Sequence, residues 1–413
     1  MSKTKIAFLD HPFHRKTRSS HFFAEMLGDE FEVHTFYVED DPRAIMQEIG
    51  DSDYDIIVCW QTEVCAPYLL MRGKRVICIP MYDSVAYAPD WYWLAMRQAR
   101  FISFSKKLHD RLKKLGVESF YFQYFGNRHE NVPRAKFNEL RGFFWQRLPE
   151  EGLDYVWARK LLGNVVSSLH IHNAPDFGAP EDWRPDSLCT VTPFSEDGSD
   201  YLDALGQANV YVCPRRSEGI GMAMLEAMAR GMCVIAHDEP TANEYIVHKV
   251  NGLLIDYGNP PLLVSEEDDD VGRICRVDDG SDRRIRLTPE LASRLGEQAY
   301  RSSINGAQRW AEDSKTIPFL IHAAPQADLS DREREFADAY LQIAQYGRRD
   351  FGRFLHKLLR LHRRGLLGYE LSALSLGEAI RLRLRAIPGL GMAYRFARRV
   401  YRFARRVYWR LFR

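Results

Sequence analysis

Short apolar runs alternate with helical patterns along most of the chain, and this alternation restricts the fold more than any other feature. In the first 125 residues the apolar runs are KIAFL, FEVHTFYV, YDIIVCW, KRVICI, ARFISF and ESFYFQYF. Between them, SSHFFAEMLG, RAIMQEI and KKLHDRLKKLG have the spacing of amphipathic helices. Strands separated by helices form parallel sheets covered on both faces, so this part predicts a doubly wound α/β domain.

A second series of the same kind follows the polar residues 127–138. Its apolar runs are RGFFWQ, VVSSLHIH, NVYVCP, CVIAH and NGLLID, and its helical patterns include GLDYVWARKLLG, DYLDALGQ and MAMLEAMARG. The rest of the chain is mostly helical in pattern and becomes rich in arginine. We therefore predict two Rossmann-like doubly wound α/β domains, residues 1–130 and 131–325, and a basic helical extension, residues 326–413.

The composition is that of a soluble protein, with 46% hydrophobic and 27% charged residues. No segment reaches the roughly 18 consecutive apolar residues of a membrane span, and the apolar run IAFL near the start is too short for a signal peptide. A cytoplasmic protein is expected. The 7 cysteines are scattered and never form a CxxC pair, which predicts reduced core thiols rather than disulfides or zinc ligands.

Charge is distributed unevenly, although the formal net charge is only +1. From residue 326 onward there are 20 lysines and arginines and 8 acidic residues, so a basic region follows an acidic body. The acidic run EEDDD at residues 266–270 is either a metal site or a solvated loop. We favour the loop, because blocks of like charge usually stay in water.

The segment with the clearest chemical signature spans residues 209–256. An apolar strand ends at Cys213, a loop carries EGIG from Glu218 to Gly221, and a helix rich in Ala, Met and Leu ends at Gly231. Glycines let the backbone approach a ligand, and a helix start offers free N–H groups and the positive end of its dipole. This arrangement suits a diphosphate, although tight-turn packing also explains a GxG pair.

Two glutamates, Glu218 in the loop and Glu226 on the following helix, sharpen this prediction. Both can line one crevice at the carboxyl edge of the sheet, where carboxylates accept hydrogen bonds from sugar hydroxyls but repel phosphate. A phosphate seat flanked by hydroxyl acceptors has the chemistry of a nucleoside diphosphate sugar site. The alternative is that Glu226 is a solvent-facing helix residue.

The same segment resembles the donor-binding signature of retaining glycosyltransferase family 4, the group 1 glycosyltransferases of GT-B fold. That signature runs E-G-x-G-x-x-x-x-E-A-M-A-x-G, and EGIGMAMLEAMARG matches all fourteen positions. Asn243, Glu244 and the element NGLLI follow it, as their counterparts do in the family. GFFWQRLPEEG and FISFSKKLHDRLKKLGV resemble two other family segments more weakly, so the likeness extends over residues 1–323.

The resemblance implies a role for individual residues. Glu226 would bind the donor ribose, and Glu218 would meet the transferred sugar as a catalytic residue. The Arg147 guanidinium would bind the diphosphate as a cation. Backbone N–H groups would bind it as well, namely those of Gly219, Ile220, Gly221 and Met222. Family members retain anomeric configuration by same-face attack, with the leaving phosphate as base, and need no metal or other cofactor. Stabilisation of the departing diphosphate is then the main catalytic contribution.

The chain also departs from the family pattern at several positions. Glu151 stands where a lysine is expected. Arg215 and Arg216 either replace that cation, Arg216 being our choice for donor binding, or simply face water. Asp83 stands where the family often has a histidine, and is either a catalytic acceptor for the incoming hydroxyl or a helix N-cap. DHPFHRKTRSSHFF replaces a Gly-Gly loop, and HNAP replaces a GxG turn.

The last twenty residues, YRFARRVYRFARRVYWRLFR, contain eight arginines and no acidic residue. On a helical wheel of residues 394–413 the arginines share one face, and Phe, Val, Leu and Ala share the opposite face. This separation predicts an amphipathic helix on an anionic membrane surface. The alternatives are a groove on a partner protein and packing on the acidic body, whereas nucleic acid binding needs no phenylalanine stripe.

Together, these features predict a retaining, metal-independent glycosyltransferase, peripherally bound at the inner face of the membrane. It would transfer a sugar from a nucleotide sugar to a glycan or a lipid-linked saccharide, as in the biosynthesis of a cell-surface polysaccharide. The alternative is a non-catalytic GT-B-like subunit that recruits a partner glycosyltransferase to the membrane. The absence of the family lysine at Glu151, of the Gly-Gly loop and of the histidine favours that alternative, whereas the Glu218 and Glu226 pair argues for catalysis.

Overall fold

The computed structural model describes residues 3–39, 42–88, 90–126, 132–176, 186–195, 199–265 and 284–346. The acidic run at 266–270 and the amphipathic segment 394–413 lie outside the described residues. Two six-stranded parallel sheets with flanking helices make up the described part of the chain. The predicted pair of Rossmann-like α/β domains is therefore confirmed.

The first domain is built on the sheet that comes first in the sequence. Its strands are β1 (Thr4–Asp10), β2 (Phe31–Tyr37), β3 (Ile56–Trp60), β4 (Arg75–Ile79), β5 (Arg100–Ser103) and β6 (Ser119–Tyr121). Its helices are α1 (His14–Thr17), α2 (His21–Gly28), α3 (Arg43–Asp51), α4 (Ala66–Met71), α5 (Tyr82–Val85), α6 (Asp90–Leu94) and α7 (Lys106–Lys114). The strand order is β2-β1-β3-β4-β5-β6.

The second domain contains the other six-stranded sheet. Its strands are β7 (Arg141–Trp145), β8 (Ser168–Asn173), β9 (Cys189–Pro193), β10 (Val210–Val212), β11 (Cys233–His237) and β12 (Leu253–Ile255). Its helices are α8 (Tyr155–Leu162), α9 (Ser199–Gln207), α10 (Met222–Ala229), α11 (Ala242–Tyr245) and α12 (Pro289–Asp313). A separate parallel ladder pairs β13 (Leu262–Val264) with β14 (Arg284–Arg286), and α13 (Ile317–His322) and α14 (Asp331–Tyr346) follow α12.

The strand order of the second sheet is β12-β11-β10-β7-β8-β9. The chain therefore builds outward from β7 in one direction and then, starting with β10, in the other. This is the Rossmann order, and ligands of such sheets bind at the carboxyl ends of the strands where the direction changes. The topology therefore predicts a binding site at the loops that follow β7 and β10.

Local sequence explains where several helices begin. Ser105, Asp154 and Thr288 precede α7, α8 and α12, and each side-chain oxygen accepts a backbone N–H from the first turn. Pro289 occupies the first position of α12, where a missing N–H costs nothing. These side chains satisfy N–H groups that would otherwise lack a partner at the helix start.

The core is continuous between the two domains. β3 is buried at every position, as expected for a parallel strand covered on both faces. One buried cluster contains Phe8 and Trp60 of the first domain together with Phe143 and Met228 of the second. The domains therefore share apolar surface in addition to polar contacts.

The chain returns to the first domain after α12. The His322 ring in α13 lies over Phe31 of β2, with ring centroids 4.6 Å apart. Farther along, Phe336 and Tyr340 of α14 are buried in the same cluster as Leu69 of α4. The described part of the basic extension is thus a helix packed on the first domain.

Two further features of the described residues concern the membrane and the cysteines. Within the described ranges, no helix has both the length and the apolar character needed to cross a membrane. The six cysteines in those ranges are all buried and unpaired: Cys59, Cys65, Cys78, Cys189, Cys213 and Cys233.

Candidate active site

The loops after β7, β8 and β10 bring four charged side chains together. Arg147 follows β7, and Arg215 and Glu218 follow β10; the fourth, Asp176, follows the neighbouring strand β8. Asp83 of the first domain joins them across the cleft between the domains. All of these residues except Asp176 are among those that the sequence predicts for the site.

The loop that carries EGIG is fixed at two points by hydrogen bonds. Under its start, the Tyr257 hydroxyl donates to the carbonyl of Cys213 at 2.8 Å. The Glu218 N–H donates to the carbonyl of Pro240 at 3.1 Å. Gly221 caps α10 with a φ of 79°, a conformation that glycine adopts without strain.

The start of α10 has the properties of an anion seat. The backbone N–H groups of Gly219, Ile220, Gly221 and Met222 donate to no acceptor among the described residues. They lie at the positive end of the helix dipole. A bound anion would satisfy them, as at other helix starts that bind phosphate.

Glu218 is a buried carboxylate, with only 8% of the residue exposed. Burial raises its pKa above the ordinary value, and the charges of Arg215 and Arg147 oppose that shift. Its charge therefore depends on these two arginines.

Asp176 holds Arg147 in place at the carboxyl edge of the sheet. Its Nε donates to Asp176 Oδ1 at 3.0 Å, and its guanidinium lies over the Trp145 ring at 4.7 Å from the ring centroid. The Asp176 N–H donates in turn to the Arg147 carbonyl at 2.9 Å. The two residues are therefore fixed to each other through both backbone and side chain.

Arg215 connects the two domains. One of its terminal nitrogens donates to Asp83 of the first domain and the other to Asp176 of the second. Only 17% of the Arg215 side chain is exposed. Arg216, the neighbour that we had chosen for donor binding, is half-buried and forms no salt bridge within the described ranges.

Glu226 lies in the second turn of α10 and is half-buried. Its Oε2 accepts a hydrogen bond from the Tyr201 hydroxyl at 3.1 Å. The Tyr201 ring packs against Phe143, Trp145 and His172, with centroids 5.6, 5.3 and 5.4 Å away. Burial, together with the charge of His170, lowers the pKa of His172 to about 4, so this aromatic group is neutral at physiological pH.

The two domains are in close contact at the cleft. A Cβ placed on Gly219 would lie 3.0 Å from Met81 Cβ, two residues before Asp83. On the basic loop after β1, the Lys16 ammonium lies 3.7 Å from the centroid of the Phe194 ring in the second domain. The two domains therefore contact each other at two points along the cleft.

Within the described ranges, no three His, Cys, Asp or Glu side chains are grouped so that they could hold a metal ion. Arg147, Arg215 and the N–H groups of the α10 start are positive groups at this edge of the second sheet.

Comparison with known proteins adds two findings. Residues 188–266, which contain the EGIG loop and α10, match the family model described as glycosyl transferases group 1. The architecture is similar to sucrose-phosphate synthase from Thermosynechococcus elongatus, with a TM-score of 0.54 and 14% identity over 78% of this chain and 100% of that one. It is also similar to a glycosyltransferase from Rickettsia africae, with a TM-score of 0.51 and 12% identity over 79% of this chain and 100% of that one.

The chain has the GT-B fold. HepE from Anabaena, solved in complex with UDP-glucose, is another similar structure, with a TM-score of 0.48 and 15% identity over 76% of this chain and 99% of that one. No curated protein matches the sequence. The matched segment places the group 1 signature on the second GT-B domain, in the loop and helix described above.

Proposed function

We propose that the protein is a glycosyltransferase that moves a sugar from a nucleoside diphosphate donor to a glycan or lipid-linked saccharide. One observation carries this proposal: the free N–H groups of the α10 start, Arg147 and Glu226 occupy one edge of a Rossmann sheet, at its change of direction. Anion donors, a cation and a hydroxyl acceptor in that position match the parts of a nucleotide sugar.

In this proposal, the donor lies across the carboxyl edge of the second sheet. The Glu226 carboxylate accepts hydrogen bonds from the ribose hydroxyls, and Tyr201 keeps that carboxylate in place. The N–H groups of residues 219–222 and the Arg147 guanidinium bind the diphosphate. As the bond to the sugar breaks, negative charge grows on the diphosphate, so these fixed groups stabilise the transition state more than the bound donor.

The acceptor approaches from the first domain. Asp83 borders the cleft on that side and is our candidate to orient the acceptor hydroxyl, while Glu218 meets the transferred sugar. The leaving diphosphate then takes the hydroxyl proton on the same face, so the anomeric configuration is retained. No metal is required in this scheme, because the positive groups in the cleft already surround the diphosphate.

A donor panel tests the donor site. UDP-, GDP-, ADP- and dTDP-sugars are titrated into the full-length protein by calorimetry, and slow hydrolysis is followed in parallel. Glu226→Ala should weaken binding of the preferred nucleotide sugar by about tenfold or more, because each hydrogen bond to a charged group contributes roughly 1.5–3 kcal/mol. Glu312→Ala removes an exposed glutamate from α12 and is the matched control.

Two outcomes of the panel would contradict the proposal. Failure of every nucleotide sugar to bind would exclude the donor site altogether. Binding that Glu226→Ala leaves unchanged would instead show that the ribose lies elsewhere.

We also propose that the protein works at the inner face of the membrane on a lipid-linked acceptor. The proposal rests on the amphipathic pattern of residues 394–413. Full-length protein should sediment with vesicles of 30% anionic lipid, and a chain ending at residue 393 should not. A chain with those twenty residues in scrambled order is the control, because it keeps the charge and loses the apolar face. Equal binding by all three would refute this part of the proposal.

A non-catalytic subunit is the second candidate function. The pairing of Arg147 and Arg215 with Asp176 and Asp83 favours it, since both cations are already neutralised by the protein itself. A subunit of this kind would show neither transfer nor hydrolysis with any donor and would co-purify with an active transferase. Release of free sugar from any nucleotide sugar, abolished by Arg147→Ala, would exclude it.

A further inference from the structure

Asp176 holds two arginines at once. Its Oδ1 accepts from Arg147 Nε at 3.0 Å, and its Oδ2 accepts from a terminal nitrogen of Arg215. The arginines follow β7 and β10, the two central strands between which the sheet changes direction. One carboxylate therefore bridges two guanidinium groups at the place where a Rossmann sheet binds its ligand.

This bridge is buried. The side chains of Arg147, Arg215 and Asp176 are 16%, 17% and 6% exposed, so water screens their charges only weakly. Without an anion between them, the two guanidinium groups would repel each other. Asp176 supplies that anion from within the chain.

The same position suits a diphosphate. A diphosphate presents several negative oxygens to neighbouring guanidinium groups, which bind phosphate as readily as carboxylate. The carboxyl groups of Asp83 and Glu218 lie near the same arginines, so a diphosphate added beside Asp176 would meet electrostatic repulsion. A diphosphate that replaces the Asp176 carboxylate avoids part of that repulsion.

Arg215 also has one N–H donor that forms no hydrogen bond among the described residues. This donor is the buried Nε. Asp83 holds one end of the guanidinium from the first domain, whatever occupies the Asp176 side. Arg215 is thus held by Asp83 and is incompletely satisfied by the protein alone.

We propose that Arg215 is the second diphosphate-binding cation of this enzyme and that Asp176 is an internal anion which the donor diphosphate displaces. The inference rests on the proposed function. Arg215 takes over the work of the lysine that is absent at position 151, and Arg216 does not. In some of the molecules the Asp176 carboxylate occupies the position between the two arginines. Only the remaining molecules can bind the donor there, so the apparent donor affinity is lower by the occupied fraction.

Inorganic pyrophosphate tests whether the position between the two arginines binds a diphosphate that carries no base or sugar. UDP and GDP test the same position with a diphosphate that is part of a nucleotide. All three are titrated into the full-length protein by calorimetry. Asp176→Asn should tighten pyrophosphate binding by about tenfold, because a neutral amide competes with a diphosphate less well than a carboxylate does. Arg215→Gln should weaken it by about tenfold or more. The double variant should lose the gain of Asp176→Asn, since the two residues act on one ligand.

Asp90→Asn is the matched control. Asp90 is a partly buried carboxylate paired with Arg111, at 2.6 Å, and lies on α6 away from the second sheet. It should leave the pyrophosphate affinity unchanged. Unfolding curves of each variant confirm that the protein is folded, and Arg215→Gln alone decides the inference if Asp176→Asn does not fold.

The two proposals fail in different ways. Weaker or unchanged pyrophosphate binding in folded Asp176→Asn, or unchanged binding in Arg215→Gln, would overturn the present inference while nucleotide sugars still bound. Absence of binding by every nucleotide sugar and by pyrophosphate in the unmodified protein would overturn the proposed function as well.

Discussion

The Glu244 carboxylate of the second domain lies 2.7 Å from the backbone nitrogen of Lys106, the first residue of α7 in the first domain. The same carboxylate accepts from the Ser105 hydroxyl at 2.9 Å and from the Lys107 N–H at 3.1 Å. A negative group at a helix start satisfies unpaired N–H groups and interacts favourably with the helix dipole. One domain therefore caps a helix of the other.

Replacement of Glu244 by alanine should loosen the domains. The three lost hydrogen bonds leave the start of α7 without its acceptor, so we expect the free energy of unfolding to fall by about 2 kcal/mol. Urea denaturation measures that change, and small-angle scattering should show a larger radius of gyration.

Glu239→Ala provides the comparison for this variant. Glu239 pairs with Lys107 at 3.0 Å, but both side chains are about half exposed, so the loss should be below about 1 kcal/mol. Equal effects of the two substitutions would argue against a capping role for Glu244.

Gly219→Ala should disturb closure of the cleft. The added Cβ would lie 3.0 Å from both Cβ and Sδ of Met81, and a Cβ cannot rotate away. Overpacking of this kind costs roughly 1–3 kcal/mol, and here it opposes the approach of the two domains. We expect a severalfold weaker affinity for the preferred nucleotide sugar in calorimetry.

Gly206→Ala is the matched glycine substitution. A Cβ there would meet only Arg230 Nη1, at 3.7 Å, which is an ordinary contact. Alanine in this position of α9 should be neutral or stabilising by about 0.5–1 kcal/mol. Similar donor affinities in the two variants would show that Met81 accommodates the methyl group.

Gly296→Ala should destabilise the second domain strongly. The new Cβ would lie 2.1 Å from the Gly231 carbonyl oxygen and 3.0 Å from Phe137 Cζ, so α12 would have to move away from the turn after α10. We expect a loss of about 3 kcal/mol in thermal or urea unfolding. Arg294→Ala, on the exposed side of the same helix, should stay within about 0.5 kcal/mol, and a comparable loss there would refute the packing argument.

Docking of α14 should depend on pH through Glu333. Burial alone would raise the pKa of this carboxyl, but hydrogen bonds from Ser330, Arg97 and Gln98 outweigh it and lower the pKa to about 2. The pKa in the folded state is thus below the unfolded value, so the stabilisation is present above about pH 4.5 and is lost as the pH falls toward 2.

Glu333→Gln should therefore expose α14 to limited proteolysis at pH 7 and flatten the loss of stability between pH 4.5 and 2. Since the group is partly exposed, we expect a cost of only about 1 kcal/mol. Glu335→Gln, exposed on the same helix, should leave cleavage unchanged. An unchanged proteolysis pattern in Glu333→Gln would exclude this contact as the one that holds the helix.

The sequence predicts those helices and strands whose pattern lies within the element itself or in the residues next to it. β7 and β10 are short apolar runs ended by polar residues, and α10 begins directly after Gly221, as the glycine-rich loop indicated. The second sheet could be predicted as parallel because helical patterns separate its strands. The sequence does not predict strand β9, because most side chains of CTVTP are polar or exposed and form no apolar run.

The site itself was predictable only in part, because its ion pairs join residues far apart in the chain. Asp83 and Arg215 are separated by 132 positions, and Arg215 and Asp176 by 39. No periodicity relates such positions; they meet because parallel strands end at one edge and the domains close on it. The role in donor binding that the sequence assigned to Arg216 stays a prediction, whereas the two ion pairs in the cleft belong to Arg215.

The polypeptide passes between the domains twice, once between β6 and β7 and again after α12. The two domains are therefore parts of one molecule that are joined more than once. Asp83 and Arg215, which lie on different domains, meet at the high effective concentration of groups within a single chain rather than by diffusion of separate proteins.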